Sequence, residues 1–194
     1  GTSATSTSDV ASCNYVARRF GVRNGMSLQR AQALCPGVRT LPYAFEAYRA
    51  TSRQFYEALV HVADAIQVVS VDEALLDMSH ALPALLRGDG HPLADRFDAH
   101  KHLGVAALGE AVRDLIRSAT QCEASVGIGA NILQARLATR LAKPSGTHVL
   151  DVACLRSMDV QDLWGVGAGL RERCEAWLGT TCIGEILERT TEAQ

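Results

Sequence analysis

Residues 66–79, IQVVSVDEALLDMS, constrain the fold of this chain more than any other stretch. Two β-rich apolar pieces, residues 66–71 and 74–78, flank the adjacent carboxylates Asp72 and Glu73. Val, Ile and Leu run almost continuously rather than alternating, the pattern of a strand covered on both faces. Ionised carboxylates beside such a segment leave water only at a high cost unless they are paired. A bound cation answers that cost, and hard oxygen donors suit Mg²⁺ held jointly with substrate phosphates. A polar hairpin tip that merely carries Asp-Glu answers it as well. The residues alone leave both readings open.

The chain has 194 residues, enough for one large core or about two to three small subdomains. Apolar residues make up 47% and aromatics only 5%, so the expected core is aliphatic and globular. No apolar run reaches the ~20 residues of a membrane helix, and no signal-peptide pattern opens the chain. The expectation is a soluble, intracellular piece of a longer protein. The cysteines, Cys13, Cys35, Cys122, Cys154, Cys174 and Cys182, form no CxxC pair. They are read as reduced core thiols rather than a disulfide frame or zinc site. A net charge of −2 argues against gripping nucleic acid by bulk electrostatics, so any DNA contact must come from local clusters.

Residues 1–9, GTSATSTSD, are small and polar and read as a disordered linker. A short helix is expected over residues 10–20, stopped by Gly21. Its three-residue spacing would put Ser12, Tyr15 and Arg18 on one face. A hydroxyl, a phenol and a guanidinium so placed can bind an anion, or form an ordinary solvated face. Asn24-Gly25 signals a turn, and Ser27 is positioned to cap a second helix ending near Leu34, before Pro36-Gly37. Phe45, Tyr48, Phe55, Leu59 and Val62 recur at helical spacing and predict a helix over 44–64 with its aromatics in the core. Residues 83–103, with Gly88, Gly90, Pro92 and an HKH string, read as an exposed connection. Val105, Leu108, Val112, Leu115 and Ile116 mark another amphipathic helix, and EASVGIG a buried strand ending in glycines. Asn131 starts a helix with Leu133, Leu137 and Leu141 on one row and Arg136 and Arg140 on another. Pro144 and Gly146 end it, leaving Lys143 at its exit, where the helix dipole alone would favour a lysine. From residue 152 the character changes to short helices. Gly165, Gly167 and Gly169 surround a turn whose freed N–H groups suit a phosphate, although GxG between helices is a weak signal by itself.

Three ordered motifs carry a resemblance. SVDEALLD resembles the catalytic SIDEAYLD motif of the Y-family translesion DNA polymerases, with Leu75 in place of the usual Tyr. That replacement, with ASC-x-Y-x-AR and SVGIG-x-NIL-x-AR, looks most like the deoxycytidyl-transferase branch of DNA repair proteins. The match runs with interruptions over about residues 10–186. It implies an α+β fold: a right-hand polymerase palm, as a split α/β sandwich missing its first strand, with small helical fingers and a helix-hairpin-helix thumb. The implied boundaries are fingers 10–43, palm 44–151 and partial thumb 152–194. The implied metal ligands are Asp72 and Glu73, for two Mg²⁺ ions in the complete enzyme. The resemblance assigns Ser12, Tyr15 and Arg18 to the incoming triphosphate, and Lys143, in AKPxG, to the same task. Asn24, in the matching NGM string, lies near the nucleotide or serves only as a turn. Gly165 and Gly167 are assigned to DNA. Asp77 is read as a strand-end structural residue.

The implied function is addition of deoxynucleotides, dCMP above all, to a primer end opposite damaged template. The implied partners are primer-template DNA, dCTP and other translesion proteins reached through regions outside this sequence. The implied location is the nucleus, with no membrane attachment. The family pattern also places a first-strand DxD-type motif with its ribose-excluding aromatic before the fingers, and nothing in GTSATSTSDVASC matches it. The isolated chain is therefore expected to be inactive. The alternative is a non-catalytic DNA-binding or scaffold piece that keeps the fold without the chemistry. An unrelated metal-dependent phosphohydrolase would explain Asp72 and Glu73 but not the three ordered motifs.

Overall fold

Side-chain caps decide where several of the helices begin. The computed structural model describes residues 8–98 and 104–191. Residues 1–7 of the expected linker and the HKH string at 100–102 lie outside the described residues. The chain divides into two compact units, Gly1–Tyr48 and Arg49–Gln194.

In the first unit, extended Asn14 caps helix α1 (Tyr15–Arg19), its Oδ1 accepting from the Ala17 amide at 2.9 Å. That cap corrects the helix expected over 10–20. Ser12 lies ahead of the cap in non-helical chain, so it does not share a helical face with Tyr15 and Arg18. Upstream, Val10 pairs with the turn instead, donating to the Met26 carbonyl and accepting from the Gly25 amide, both at 2.8 Å. Gly21, at φ +89°, turns the chain after Phe20 caps the helix. Ser27 Oγ accepts from the Arg30 amide and opens α2 (Leu28–Leu34), as its sequence predicts. Ala17, Val22, Ala31 and Cys35 form this unit's core.

Helix α3 (Phe45–Val60) overturns two of the three aromatics in its expected core stripe. Phe55, Leu59 and Val62 pack into the core of the second unit, but Phe45 is 60% and Tyr48 47% exposed. The helical period persists past the point where anything covers it. Tyr43, Phe45 and Tyr48 contact one another instead, stacked at 4.9 Å and edge-on at 6.2 Å between ring centroids.

The second unit is α+β. Strands β1 (Ala65–Val68) and β2 (Ala74–Asp77) form an antiparallel hairpin, and β3 (Ser125–Ile128) and β4 (Gly146–Val149) a parallel pair. Between them come α4 (Ala81–Arg87), a 3₁₀ turn (Ala94–Arg96), α5 (Val105–Thr120) and α6 (Ile132–Ala142). Leu59, Leu85, Leu93, Leu108, Val112 and Ile116 make the core, and Ile66, Leu76 and Val126 pack against it from both sheets. The hairpin is covered on one face only, contrary to the two-faced burial its apolar run predicts. Ile66, Ala74, Leu76 and Met78 reach the core, whereas Val68 and Val71 are about two-thirds exposed. The exposed connection expected over 83–103 is also corrected in part. Its first residues complete α4, and Leu93 is fully buried.

Asn131 caps α6 through the Gln134 amide, while the Gln134 side chain reaches back to the Ala130 amide at 2.9 Å. Leu137 is buried, but Leu133 and Leu141 are about two-fifths exposed, so their row only grazes the core. After Lys143, which caps the helix, the chain enters β4, a strand its sequence does not signal. Helices α7 (Val152–Ser157), α8 (Ala168–Leu178) and α9 (Ile183–Thr191) follow, with a 3₁₀ turn at Val160–Asp162. Leu137, Ala138 and Leu150 join Cys154, Leu155, Met158 and Leu163 in a second small core. All six cysteines are free; Cys35 is buried as expected of a core thiol, but Cys122 is exposed.

An ionic cluster fastens α5 to the strand pair. Arg113 donates to Glu110, to the Ala124 carbonyl and to Ser145 Oγ, while Arg117 donates to Glu123 at 2.7 Å. The hydrogen bond from Arg117, then that from Ser145, holds the Glu123 carboxyl down from 4.5 to about 2. A carboxylate depressed in the folded state stabilises it above the ordinary value and loses that contribution as pH falls through the folded one. The melting-temperature gap between wild type and Glu123→Gln is therefore expected to be constant above pH 4.5 and to close between 4.5 and about 2. A gap that stays constant to pH 2 would remove Glu123 from the acid response.

Candidate active site

The hairpin tip places Asp72 and Glu73. Residues Val68 and Ala74 are partners at the end of the ladder, and the amides of Val69 and Ser70 both donate to the Glu73 carbonyl, at 3.0 and 3.1 Å. The Tyr56 hydroxyl reaches the tip from α3, 2.5 Å from the Ser70 carbonyl and 2.8 Å from that of Glu73. Burial first, with the Asp72 and Glu73 charges adding to it, raises its pKa, so Tyr56 remains a donor. The tip is thus a pinned loop.

Each carboxylate has one oxygen engaged. Ser70 Oγ donates to Asp72 Oδ1 at 2.6 Å and accepts from the Asp72 amide. Arg136 Nη2, from α6, stands 3.3 Å from Glu73 Oε1. Asp72 is exposed and Glu73 half-exposed, so neither carries the full penalty that their apolar flanks suggest. The other oxygens are hard carboxylate donors, the chemistry that suits a divalent cation completed by water or phosphate. Among the described residues no group of three or more His, Cys, Asp and Glu is placed to hold a metal by itself. Asp77 accepts from the Ser79 hydroxyl at 2.6 Å and its amide at 2.9 Å, which lower its pKa in that order, the structural role its position predicts.

The other singled-out residues are exposed in their own settings. Arg18 folds back, its Nε donating to the Cys13 carbonyl at 3.0 Å and its guanidinium 5.6 Å from the Tyr15 ring centroid. Ser12 lies in the irregular chain before α1, and Asn24 Oδ1 accepts from the Cys13 thiol across the turn. Lys143 is exposed at the end of α6. Gly165 has φ +87°, and Gly167 caps α8 without a side chain, leaving the amides of its first turn uncapped. Ser70, Tyr56, Arg136 and Trp164 complete the surroundings of the carboxylate pair. Of these, Ser70 alone had a local signal, the Ser-x-Asp pattern of a side-chain turn.

Known proteins resemble the chain along most of its length. The model of the impB/mucB/samB family matches residues 2–140. The DNA repair protein rev1 of Schizosaccharomyces pombe is 40% identical over 184 residues, covering 92% of this chain and 18% of that protein. The DNA repair protein REV1 of Arabidopsis thaliana is 37% identical, covering 86% of this chain and 14% of its own length. The chain therefore spans less than a fifth of these relatives. A solved structure described as an insertion ternary complex of Dbh DNA polymerase superposes with a TM-score of 0.72 at 26% identity, over 90% of this chain and 47% of that one.

Proposed function

This chain belongs to the impB/mucB/samB family, and from that premise we propose that it forms the fingers, palm and partial thumb of a Y-family translesion DNA polymerase. Fingers correspond to 10–43, palm to 44–151 and thumb to 152–194. The reaction is transfer of a deoxynucleotide, dCMP from dCTP, to a primer end opposite damaged template. The observation that carries the reading is the pinned, adjacent carboxylate pair at the hairpin tip, with one oxygen of each engaged.

Asp72 and Glu73 hold Mg²⁺, in the complete enzyme as part of a two-ion centre. When bound, the ions supply charge neutralisation at the attacking hydroxyl and at the departing pyrophosphate. Ser70 and Tyr56 keep the tip in place. Tyr15 and Arg18, with Ser12 and Asn24 near them, are assigned to nucleotide phosphates, and Lys143 to the same charge pairing. Gly165 and Gly167 offer backbone amides to a DNA phosphate. The first unit supports a nucleic-acid role. Its five arginines against Asp9 and Glu46 give it +3, so the remaining residues carry −5 of the total −2. Nuclear location and contacts with other translesion proteins, outside this sequence, follow from the same reading. Among the described residues no helix is long and apolar enough to cross a membrane.

Single-nucleotide insertion on a primed template tests the function, with dCMP preferred over the other three nucleotides. A second reading, a non-catalytic DNA-binding scaffold, draws on one observation: the described residues offer no third metal-binding side chain beside the pair. It predicts template binding without insertion. Nucleotide binding is tested separately. Arg18→Ala is expected to weaken binding of a fluorescent dCTP by about 1.5–3 kcal/mol, the range of a charge-assisted hydrogen bond. An unchanged dissociation constant would take Arg18 out of the site.

A further inference from the structure

One guanidinium joins Glu73 to the turn before α8. Arg136 Nη2 is 3.3 Å from Glu73 Oε1, and its Cζ lies 5.0 Å from the centroid of the Trp164 ring. Trp164 is 73% exposed, so the ring is placed on the surface rather than used to fill a core. Its position is set by the turn, where the Val166 amide donates to the Leu163 carbonyl and Gly165 takes positive φ. Planar stacking holds a guanidinium in one orientation, which an ammonium group cannot reproduce.

The two carboxylates are held differently. Asp72 is steadied by a neutral hydroxyl, whereas Glu73 is steadied by a full positive charge. A hydroxyl can stay while a carboxylate ligates a cation. A guanidinium on the same carboxylate repels the incoming ion. Resting on the reading that Asp72 and Glu73 hold a divalent cation, we infer that Arg136 is a positioning residue that exchanges with the metal at Glu73. It neutralises Glu73 while no cation is bound and is displaced by charge repulsion when one binds. Because the same group stacks on Trp164, metal loading at the hairpin tip is transmitted to the 163–166 turn. That turn carries Gly165, so the proposed DNA-phosphate contact senses whether the carboxylates are loaded.

The exchange is a weak one. Glu73 and Arg136 side chains are 45% and 27% exposed, so water screens their attraction. An ion pair of this kind shifts a competing equilibrium by about two- to fivefold. The test uses the 194-residue chain carrying Trp177→Phe, which leaves Trp164 as the single tryptophan. Free Mn²⁺ is followed by electron paramagnetic resonance, and Trp164 emission is followed during titration with Mg²⁺. In the parent chain Mg²⁺ should change Trp164 emission saturably, and Glu73→Gln should weaken Mn²⁺ binding and abolish the emission change. Arg136→Ala should tighten Mn²⁺ binding about two- to fivefold and leave Trp164 blind to Mg²⁺. Arg136→Lys keeps the charge without the stack, so Mn²⁺ affinity should remain within about twofold of the parent while the emission change is lost. Arg136→Ala with parental Mn²⁺ affinity and a parental Trp164 response would overturn the exchange, as would weaker Mn²⁺ binding in that variant. Mn²⁺ binding that ignores both Glu73→Gln and Asp72→Asn would instead bring down the metal reading, and the inference with it.

Discussion

Replacing Asp72 or Glu73 by alanine is expected to slow dCMP insertion by the intact gene product on the order of 10²–10³-fold or more, the effect of removing a principal electrostatic stabiliser. The expectation rests on where the side chains sit. Both are at the tip of a hairpin whose backbone is held by Tyr56 and by two amides on the Glu73 carbonyl, and truncating either carboxylate leaves these backbone supports in place. Asp72 is exposed and Glu73 half-exposed, and surface changes of this kind alter stability by about 0.5 kcal/mol or less. Activity and stability should therefore separate. Asp72→Asn sharpens the test, because an amide oxygen can still accept from Ser70 Oγ while the charge is gone. Loss of insertion in Asp72→Asn as deep as in Asp72→Ala assigns the effect to charge. Ser70→Ala, which removes only the tether, should cost far less. The measurement is single-turnover insertion on a primed template, with thermal melting of each variant alongside. Less than a tenfold loss in both alanine variants, with unchanged melting, would mean that the pair is not the metal-binding centre.

The features legible in the sequence were those whose causes are local. The Asp-Glu tip, the Ser27 and Asn131 caps and the Asn24-Gly25 turn each depend on residues a few positions apart, and each is present. Three-residue spacing placed Ser12 on the helix of Tyr15 and Arg18, because spacing does not show where a helix starts. Asn14 sits between them and caps the helix two residues too late to include Ser12. Strand β4, GTHV, is missed because it opens on glycine, has no alternating pattern and gains its partner only through parallel pairing with β3 across α6. Helix α4 is hidden by Pro83 and the glycines after it, although a proline in a first turn removes no intrahelical hydrogen bond. Phe45 and Tyr48 show a different limit. Periodicity predicts which side chains share a face, but not whether another element covers that face. The contact between Glu73 and Arg136 joins residues 63 positions apart in the chain, and no local pattern announces it.

Among the described glycines, Gly127 is where alanine is expected to destabilise most. Helix α6 lies directly on β3 at this point. A Cβ on Gly127 would overlap the Thr139 amide nitrogen and the Ala135 carbonyl oxygen, both of them helix backbone, as well as Thr139 Oγ1. Backbone in the middle of a helix cannot swing aside as a side chain can, so the whole helix must lift from the strand. Overpacking costs about 1–3 kcal/mol and sometimes more, and a backbone obstacle puts Gly127 at the upper end. At about 2–4 °C per kcal/mol for a chain of this size, melting should fall by roughly 6–12 °C. Lifting α6 would also carry Arg136 away from Glu73, so the change should disturb the site as well as the fold. Gly109→Ala should be milder, because the nearest obstacle there is the side chain of Thr147, which can rotate. Gly169→Ala provides the opposite sign. It lies within α8 with nothing within 4 Å of a built Cβ, so alanine should stabilise by about 0.5–1 kcal/mol through helix propensity and a less flexible unfolded chain. Urea unfolding of the three variants decides the matter. A Gly127→Ala chain as stable as wild type, with Gly169→Ala stabilised as expected, would show that α6 and β3 are not in the close contact on which the position of Arg136 depends.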